Sequence, residues 1–450
     1  MAKVKTVYVC SKCGAKSFKW AGKCSNCGAF GSFVEEKITN KKSGNYSIKS
    51  EISVKPLSSI NETLNIDRIS TYIPTLDEAL GGGIVPGQVI LLSGEPGIGK
   101  STLLLQIAYN LAKNNKKVLY VSGEESAQQI FIRGKRIDAI HENVLILADT
   151  NLENILNAIE KENPDFIILD SVQTVYSQEL ESTAGSVSQV KEVSGKLTEI
   201  AKQKNIPTVL VGQITKEGSI AGPKVLEHLV DTVAYFEGER GHAYRVLKLI
   251  KNRFGAAGEL AVFSMTSKGL KEIKDPSSFF LSEKPEGKSG SIIFPFTEGS
   301  KPVLIEIQAL VSKTVYAVPQ RRSQGIDINR VSIITAILEK ELNLFLKDKD
   351  IFINVVGGMH IKEPAVDLPV AIAIISSALE KPIDKNFAAF GELGLTGEIR
   401  SVYYTDLRLK ECKKFGISNI MIPYNSDIKE KGIKLVKNIK EAFSILFKGK

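Results

Sequence analysis

No apolar run in the chain is long enough to cross a bilayer, and the opening MAKVKTVYVC has no long apolar stretch before a cleavage site. Neither a spanning segment nor a secretory signal is expected, so the expected location is the cytoplasm, with no membrane partner. Cysteine is scarce, at five residues, and a cytosolic setting disfavours disulfides between them. Acidic side chains are scarce at the N-terminus. Residues 1–63 hold four glutamates (35, 36, 51, 62) against eleven lysines (3, 5, 12, 16, 19, 23, 37, 41, 42, 49, 55), which is +7 of the formal +9. A basic segment of this kind suggests a polyanion such as nucleic acid. At 450 residues the chain exceeds one ordinary core, and two or three domains are expected.

Four of the five cysteines lie in CSKCGAKSFKWAGKCSNCG, at Cys10, Cys13, Cys24 and Cys27. The pattern C-x2-C-x10-C-x2-C makes two tight knuckles whose four thiolates suit tetrahedral Zn²⁺. So short a segment cannot build a stable apolar core, and the metal would hold it together. Trp20, between the knuckles, is expected to cover the small core, although it could stack on a base. Cys412 stands alone as a packed residue. Residues 36–63 are polar, rich in Ser and Lys, and read as a linker.

The next stretch, QVILLSGEPGIGKSTLLLQIAYNLAK, reads as strand, loop and helix. Its loop, Gly94-Glu95-Pro96-Gly97-Ile98-Gly99-Lys100-Ser101, followed by Thr102, fits G-x4-G-K-[ST] in that context. The backbone N–H groups and the helix N-terminus would cradle the phosphates of ATP. Lys100 would reach the β/γ-phosphates and Ser101 would ligate Mg²⁺. Three more apolar strands follow. KVLYVSGEES ends in Glu124 and Glu125, either of which could polarise the attacking water. DFIILDSVQ ends in Asp170, a second Mg²⁺ ligand. IPTVLVGQITKEG ends in Gln213, which could sense the γ-phosphate. Ligands in parallel α/β sheets bind beyond such strand ends. The Gly-containing stretch after Gln213, with Lys216 and Lys224, could follow a phosphate backbone. Further on, the strand-like YRVLKLI leads into Lys251-Asn252-Arg253-Phe254-Gly255.

These motifs, in this order and behind a four-Cys module, resemble the bacterial RadA (Sms) family over nearly the whole chain. The resemblance implies a RecA-related DNA repair and recombination ATPase that assembles as a ring, expected to be a hexamer. It implies action on single-stranded and branched DNA, branch migration in the manner of a ring helicase, and cooperation with the RecA recombinase. Lys100, Ser101 and Asp170 would be its nucleotide and Mg²⁺ residues. Glu124 aligns best with the catalytic glutamate, Glu125 is the neighbouring candidate, and Gln213 is the sensor. Lys251 and Arg253 would serve ATP turnover and DNA processing by reaching a neighbour's nucleotide or DNA.

The C-terminal part is read as an α+β domain that resembles the domain of Lon-type proteases, most clearly in GELGLTGEIRSV. Proteolysis there needs a serine beside a lysine. The expected serine position reads KEPAVDLPVAIAI, with Asp367 and Leu368, while Ser376 and Ser377 lie deeper in an apolar helix. A protease-like fold without the dyad is expected, with Lys313, Arg321 and Arg322 as candidate DNA contacts. The expected organisation is α/β: a zinc module (1–35), a linker (36–63), a RecA-like P-loop ATPase core (64–275) and a non-proteolytic Lon protease-like domain (276–450).

Overall fold

The computed structural model describes residues 4–11, 15–39, 67–213, 226–238, 244–282, 284, 286–299, 301–316, 318–424, 428 and 430–447. Its contacts divide the chain into two compact units, residues 1–237 with 245–272, and residues 238–244 with 273–450.

The first unit opens with a small antiparallel sheet of β1 (Val4–Cys10), β2 (Lys16–Ser17) and β3 (Phe33–Thr39). The first four residues of the expected linker therefore belong to β3, which pairs with β1 from Val4↔Thr39 to Cys10↔Phe33. Residues 40–66 lie outside the described residues.

The larger sheet contains β4 (Val89–Gly94), β5 (Val118–Ser122), β6 (Val144–Ala148), β7 (Phe166–Asp170), β8 (Thr208–Gln213), β9 (Thr232–Glu237), β10 (Tyr244–Asn252), β11 (Leu260–Thr266) and β12 (Gly269–Glu272). Their order across the sheet is 12-11-10-9-4-8-7-5-6. The six strands from β9 to β6 in that order are parallel. Apolar residues fill both faces because parallel sheets are covered on both sides. Ile90, Leu92, Val118, Tyr120, Phe166 and Ile168 share one core with helices α1 (Pro74–Ala79), α2 (Lys100–Lys113) and α3 (Ala127–Arg136). Their sequence neighbours Val89, Leu91, Leu119, Val121, Ile167 and Leu169 face α4 (Leu152–Glu162) and α5 (Val187–Lys204). Side-chain N-caps fix the starts of three helices: Ser126 before α3, Asn151 before α4 and Ser186 before α5.

β10 runs antiparallel to β9, with Lys251↔Val233 and Asn252↔Thr232. Its C-terminal end therefore lies level with the first residues of the parallel strands, and the P-loop follows the opposite, C-terminal end of β4.

The second unit is built on a seven-stranded mixed sheet of β13 (Ser291–Glu298), β14 (Lys301–Lys313), β15 (Arg321–Gln324), β16 (Lys349–Val355), β17 (Phe387–Ala389), β20 (Asn419–Pro423) and β21 (Ile433–Val436). The short pair β18 (Glu392–Leu393) and β19 (Ile399–Arg400) stands apart. The helix Asp367–Ala378 is buried at eleven of its twelve residues, so its apolar sequence reflects enclosure on all sides.

Candidate nucleotide site and its surroundings

Parallel register makes the functional strand ends level. Gly94 pairs with Gln213, and Ser122 pairs with Asp170. β5 stops at Ser122, so Glu124 and Glu125 stand in the turn after the strand rather than at its end. Beyond these ends lies a cavity of about 320 Å³ whose lining includes Lys100, Ser101, Glu124, Glu125, Asp170 and Gln213. Pro96, Gly97, Gly99 and Thr102 line it too. Gly94 must be glycine, because a Cβ there would stand 2.4 Å from the Phe236 carbonyl oxygen. Gly99, at φ 115°, turns the chain into α2 in a conformation that L side chains rarely adopt.

The Lys100 ammonium donates to the Gly94 and Glu95 carbonyls at 2.8 and 2.9 Å, spanning the loop it would serve. Burial pulls its pKa below the usual lysine value, and the Asp170 and Glu124 carboxylates partly oppose that. The two adjacent glutamates differ. Glu124 Oε1 accepts from the Gln213 amide at 2.7 Å and from the Ser171 hydroxyl at 2.5 Å. Glu125 is ion-paired with Arg133 of α3. The geometry therefore connects Glu124, and not Glu125, to Gln213.

Sequence reasoning missed several residues of this site, among them the cavity-lining Ser122 at the end of β5. Tyr120, 1% exposed, donates to Asp170 Oδ2 at 2.7 Å. Burial, then the Asp170 carboxylate, pushes that phenol well above its usual pKa and keeps it protonated. A tyrosine in an otherwise aliphatic buried strand needs a partner for its hydroxyl, and that was the available signal. Ser171, Arg133 and the exposed Arg136, which also lines the cavity, carried no such signal.

The KNRFG motif is not at this cavity. Lys251 Nζ donates to the Glu227 and Val230 carbonyls at 2.7 and 2.8 Å. Burial, and next the Arg253 charge, pulls its pKa down. Arg253 contacts Asp231 at 3.3 Å, with its side chain 58% exposed. Asp231 is buried and also accepts from the Val89 N–H at 3.0 Å, at the first residue of the P-loop strand. Asn252 Oδ1 accepts from the Phe254 N–H at 3.1 Å, and the Phe254 carbonyl accepts from Arg68 at 2.6 Å. A Cβ on Gly255 would stand 2.8 Å from Asn252 Nδ2 and 3.2 Å from the Leu80 carbonyl oxygen, so a larger residue at the exit would have to displace the Asn252 side chain.

In the small N-terminal sheet, the ligand sulfurs of Cys10, Cys24 and Cys27 lie within 4.8 Å of one another. Cys10 and Cys27 Sγ are 3.7 Å apart. That is no disulfide, and it matches the sulfur–sulfur edge of about 3.8 Å that Zn–S bonds of about 2.3 Å give in a tetrahedron. The residues fit zinc. Cys13 lies outside the described residues, as do Lys216 and Lys224. Trp20 does not cover the core as expected: it is 62% exposed, because the buried positions of this small module are taken by Val7, Val9, Cys10 and Cys24.

In the second unit Lys313 ends β14, while Arg321 and Arg322 lie on β15. Arg322 is exposed and lines a groove of about 510 Å³ together with Lys288, Gln308, Phe352 and Asn354. The expected serine position holds Asp367, whose carboxylate takes Nε of Arg330 at 2.8 Å, a second Arg330 nitrogen, and the Leu393 N–H at 3.1 Å. Ser376 Oγ accepts from the Gly290 N–H and donates to the Lys381 carbonyl, and Ser377 Oγ accepts from the Val311 N–H. Both serines are committed to backbone groups, and among the described residues neither bonds a lysine side chain.

Family models match three parts of the chain: the rubredoxin metal binding domain at residues 8–35, the ATPase KaiC at 69–145, and subunit ChlI of Mg-chelatase at 324–426. The DNA repair protein RadA of Aquifex aeolicus is 56% identical over 449 residues, covering 99% of this chain and 100% of that protein. The chain belongs to the RadA family. The RadA proteins of Listeria monocytogenes and Bacillus subtilis are 48% and 45% identical, covering 95% and 98% of the chain and 94% and 98% of those proteins. A solved KaiC-like protein, PH0186 of Pyrococcus horikoshii, covers 46% of the chain at 21% identity and a TM-score of 0.39, too slight a likeness to carry an argument. As a RadA-family member the chain has an α/β fold with a RecA-like P-loop ATPase core, an N-terminal four-Cys module and a C-terminal Lon protease-like α+β domain. It is a DNA repair protein with an ATPase domain. No helix among the described residues is long and apolar enough to cross a membrane.

Proposed function

We propose that the chain is a DNA-dependent ATPase of homologous recombination and repair. It acts in the cytoplasm as a ring of its own copies, expected to be a hexamer, that moves on single-stranded and branched DNA and promotes branch migration together with RecA. The observation that carries this reading is the Glu124–Gln213 hydrogen bond. It joins the carboxylate that would activate water to the last residue before the Gly- and Lys-containing stretch with Lys216 and Lys224. Hydrolysis at one end of that bond would change the strand end that leads to DNA. Gly94 to Thr102 hold ATP, Lys100 steadies its phosphates, Ser101 and Asp170 take Mg²⁺, and Cys10, Cys13, Cys24 and Cys27 take Zn²⁺. When bound, Mg²⁺ supplies charge neutralisation to the phosphates.

The KNRFG cations divide the work. Lys251 ties down the 226–230 turn, and Arg253 presents its charge outward, to a neighbouring subunit or to DNA. Arg253→Ala is expected to abolish branch migration with monomer ATP affinity within about twofold of wild type, since nothing at the cavity is altered. A forked-DNA branch-migration assay, run beside steady-state ATPase with and without single-stranded DNA, tests both this and the function. ATP hydrolysis with no movement of the branch, in wild type, would favour an ATP-gated scaffold. No hydrolysis under either condition would remove the ATPase reading.

Tyr120 fixes Asp170 Oδ2 and leaves the other carboxylate oxygen for the metal. Tyr120→Phe is expected to raise the Mg²⁺ concentration for half-maximal hydrolysis by about tenfold, the scale of one lost hydrogen bond to a charged group. ATP binding measured without Mg²⁺ should not change. An unaltered Mg²⁺ requirement would reduce the hydroxyl to core filling.

A further inference from the structure

Trp20 is the only tryptophan in the chain, and the N-terminal module leaves it in water. Phe18 is 81% exposed, Trp20 62% and Phe30 77%. Three exposed aromatic rings within thirteen residues need an explanation, because each forfeits apolar burial. Two of them flank one knuckle. Trp20 Cη2 lies 3.9 Å from where a Gly22 Cβ would stand, the Gly31 N–H donates to the Gly22 carbonyl at 2.8 Å, and Lys23 bridges Phe30 in antiparallel pairing. The Lys23 ammonium sits 5.1 Å from the Phe30 ring centroid. Lys19, also exposed, lies in sequence between Phe18 and Trp20.

The charge of this N-terminal segment is nearly all of one sign. Residues 1–35 contain six lysines (3, 5, 12, 16, 19, 23) and one acid, Glu35, a balance of 6 − 1 = +5. Four thiolates with one Zn²⁺ contribute −4 + 2 = −2, leaving +3. Protein-docking patches deplete lysine at their centre. Exposed aromatic rings, Phe30 beside the Lys23 ammonium and Phe18 and Trp20 either side of Lys19 in the sequence, match a single strand, whose bases stack while its phosphates meet the cations.

We propose that this face of the N-terminal module contacts single-stranded DNA, with Phe18, Trp20 and Phe30 stacking on bases and Lys19 and Lys23 meeting phosphates. This rests on the DNA-binding reading given above and adds to it a surface that lies outside the ATPase core. Stacking on any base carries little sequence preference, so the contact would gather strand for the ring without selecting it.

The single tryptophan makes the test direct. The full-length, zinc-loaded protein is titrated with a thymidine oligonucleotide in Mg²⁺ buffer containing a non-hydrolysable ATP analogue. Tryptophan emission and the anisotropy of the labelled strand are read together. Emission is expected to fall as anisotropy rises. Trp20→Ala should weaken binding by about tenfold with zinc content unchanged, Trp20→Phe should restore most of it, and a strand with abasic sites should bind wild type about as weakly as the intact strand binds the alanine variant. A rise in anisotropy with emission unchanged, or equal affinities for wild type and Trp20→Ala, would overturn the proposal and leave the rings to a protein partner. No rise in anisotropy at all would instead remove the DNA-binding reading, and this surface with it.

Discussion

Glu124→Gln is expected to lower ATP turnover by about 10²–10⁴-fold, the usual contribution of a positioned general base, while ATP binding stays close to normal. Glu125→Gln should stay within about tenfold of wild type. The difference follows from geometry. Both line the cavity, but Glu124 bonds Gln213 and Ser171, whereas Glu125 is held by Arg133 of α3. Glutamine keeps the shape and accepts the same Ser171 hydrogen bond, but it cannot take a proton from water. Steady-state ATPase and fluorescent-nucleotide binding on both variants check this. Equal losses in the two would mean that Arg133 releases Glu125 during turnover and that both carboxylates serve.

The same variant separates chemistry from signalling. Gln213 donates its amide to Glu124, and a glutamine at 124 still offers a carbonyl oxygen to that donor. DNA affinity in the ATP-bound state should therefore survive in Glu124→Gln even as turnover fails. Gln213→Ala should do the reverse: it breaks the bond to the strand end and leaves the carboxylate in place, so hydrolysis persists and its stimulation by DNA is lost.

The P-loop was legible because its geometry admits few residues. Gly94 meets a carbonyl, Gly99 takes a left-handed turn, and Lys100 and Ser101 open a helix. The level strand ends were legible because β5, β7 and β8 are apolar runs that stop at Ser122, Asp170 and Gln213. The direction of β10 was harder. YRVLKLI shows a strand and says nothing of its direction, yet only residues 238–243 separate it from β9, a connection too short for a parallel crossover. That length places Lys251 and Arg253 away from their own nucleotide. The choice between Glu124 and Glu125 could not be read, because adjacent residues in a turn point apart in ways that only the partners Gln213 and Arg133 decide. Trp20 misled because the burial expected of tryptophan presumes a core large enough to receive it.

Asp367→Ser, which puts the serine where a Lon-type enzyme would carry it, is expected to yield no peptidase and to destabilise the C-terminal unit by about 3 kcal/mol. Asp367 is buried and opens the helix Asp367–Ala378, where a negative charge meets the positive end of the helix dipole. Its partner Arg330 also donates to the Leu393 carbonyl at 2.9 Å, so the pair ties that helix, the helix Ile328–Leu342 and β18 together. A serine there would leave the guanidinium without its counter-charge and the Leu393 N–H without its acceptor. Among the described residues no lysine bonds Asp367 to activate the new hydroxyl: its cation is Arg330, which holds its proton at any working pH. Urea unfolding of the unit and a casein assay with a serine-directed reagent read the two halves of this expectation. A stability loss below about 1 kcal/mol would show that the ion pair merely fills space. Casein cleavage blocked by the reagent would show that the missing serine was the only barrier to proteolysis and that no lysine partner is needed. With Asp367 in place, the ion pair holds three elements of the C-terminal unit at the position a nucleophile would need, and the fold is free to serve as a scaffold.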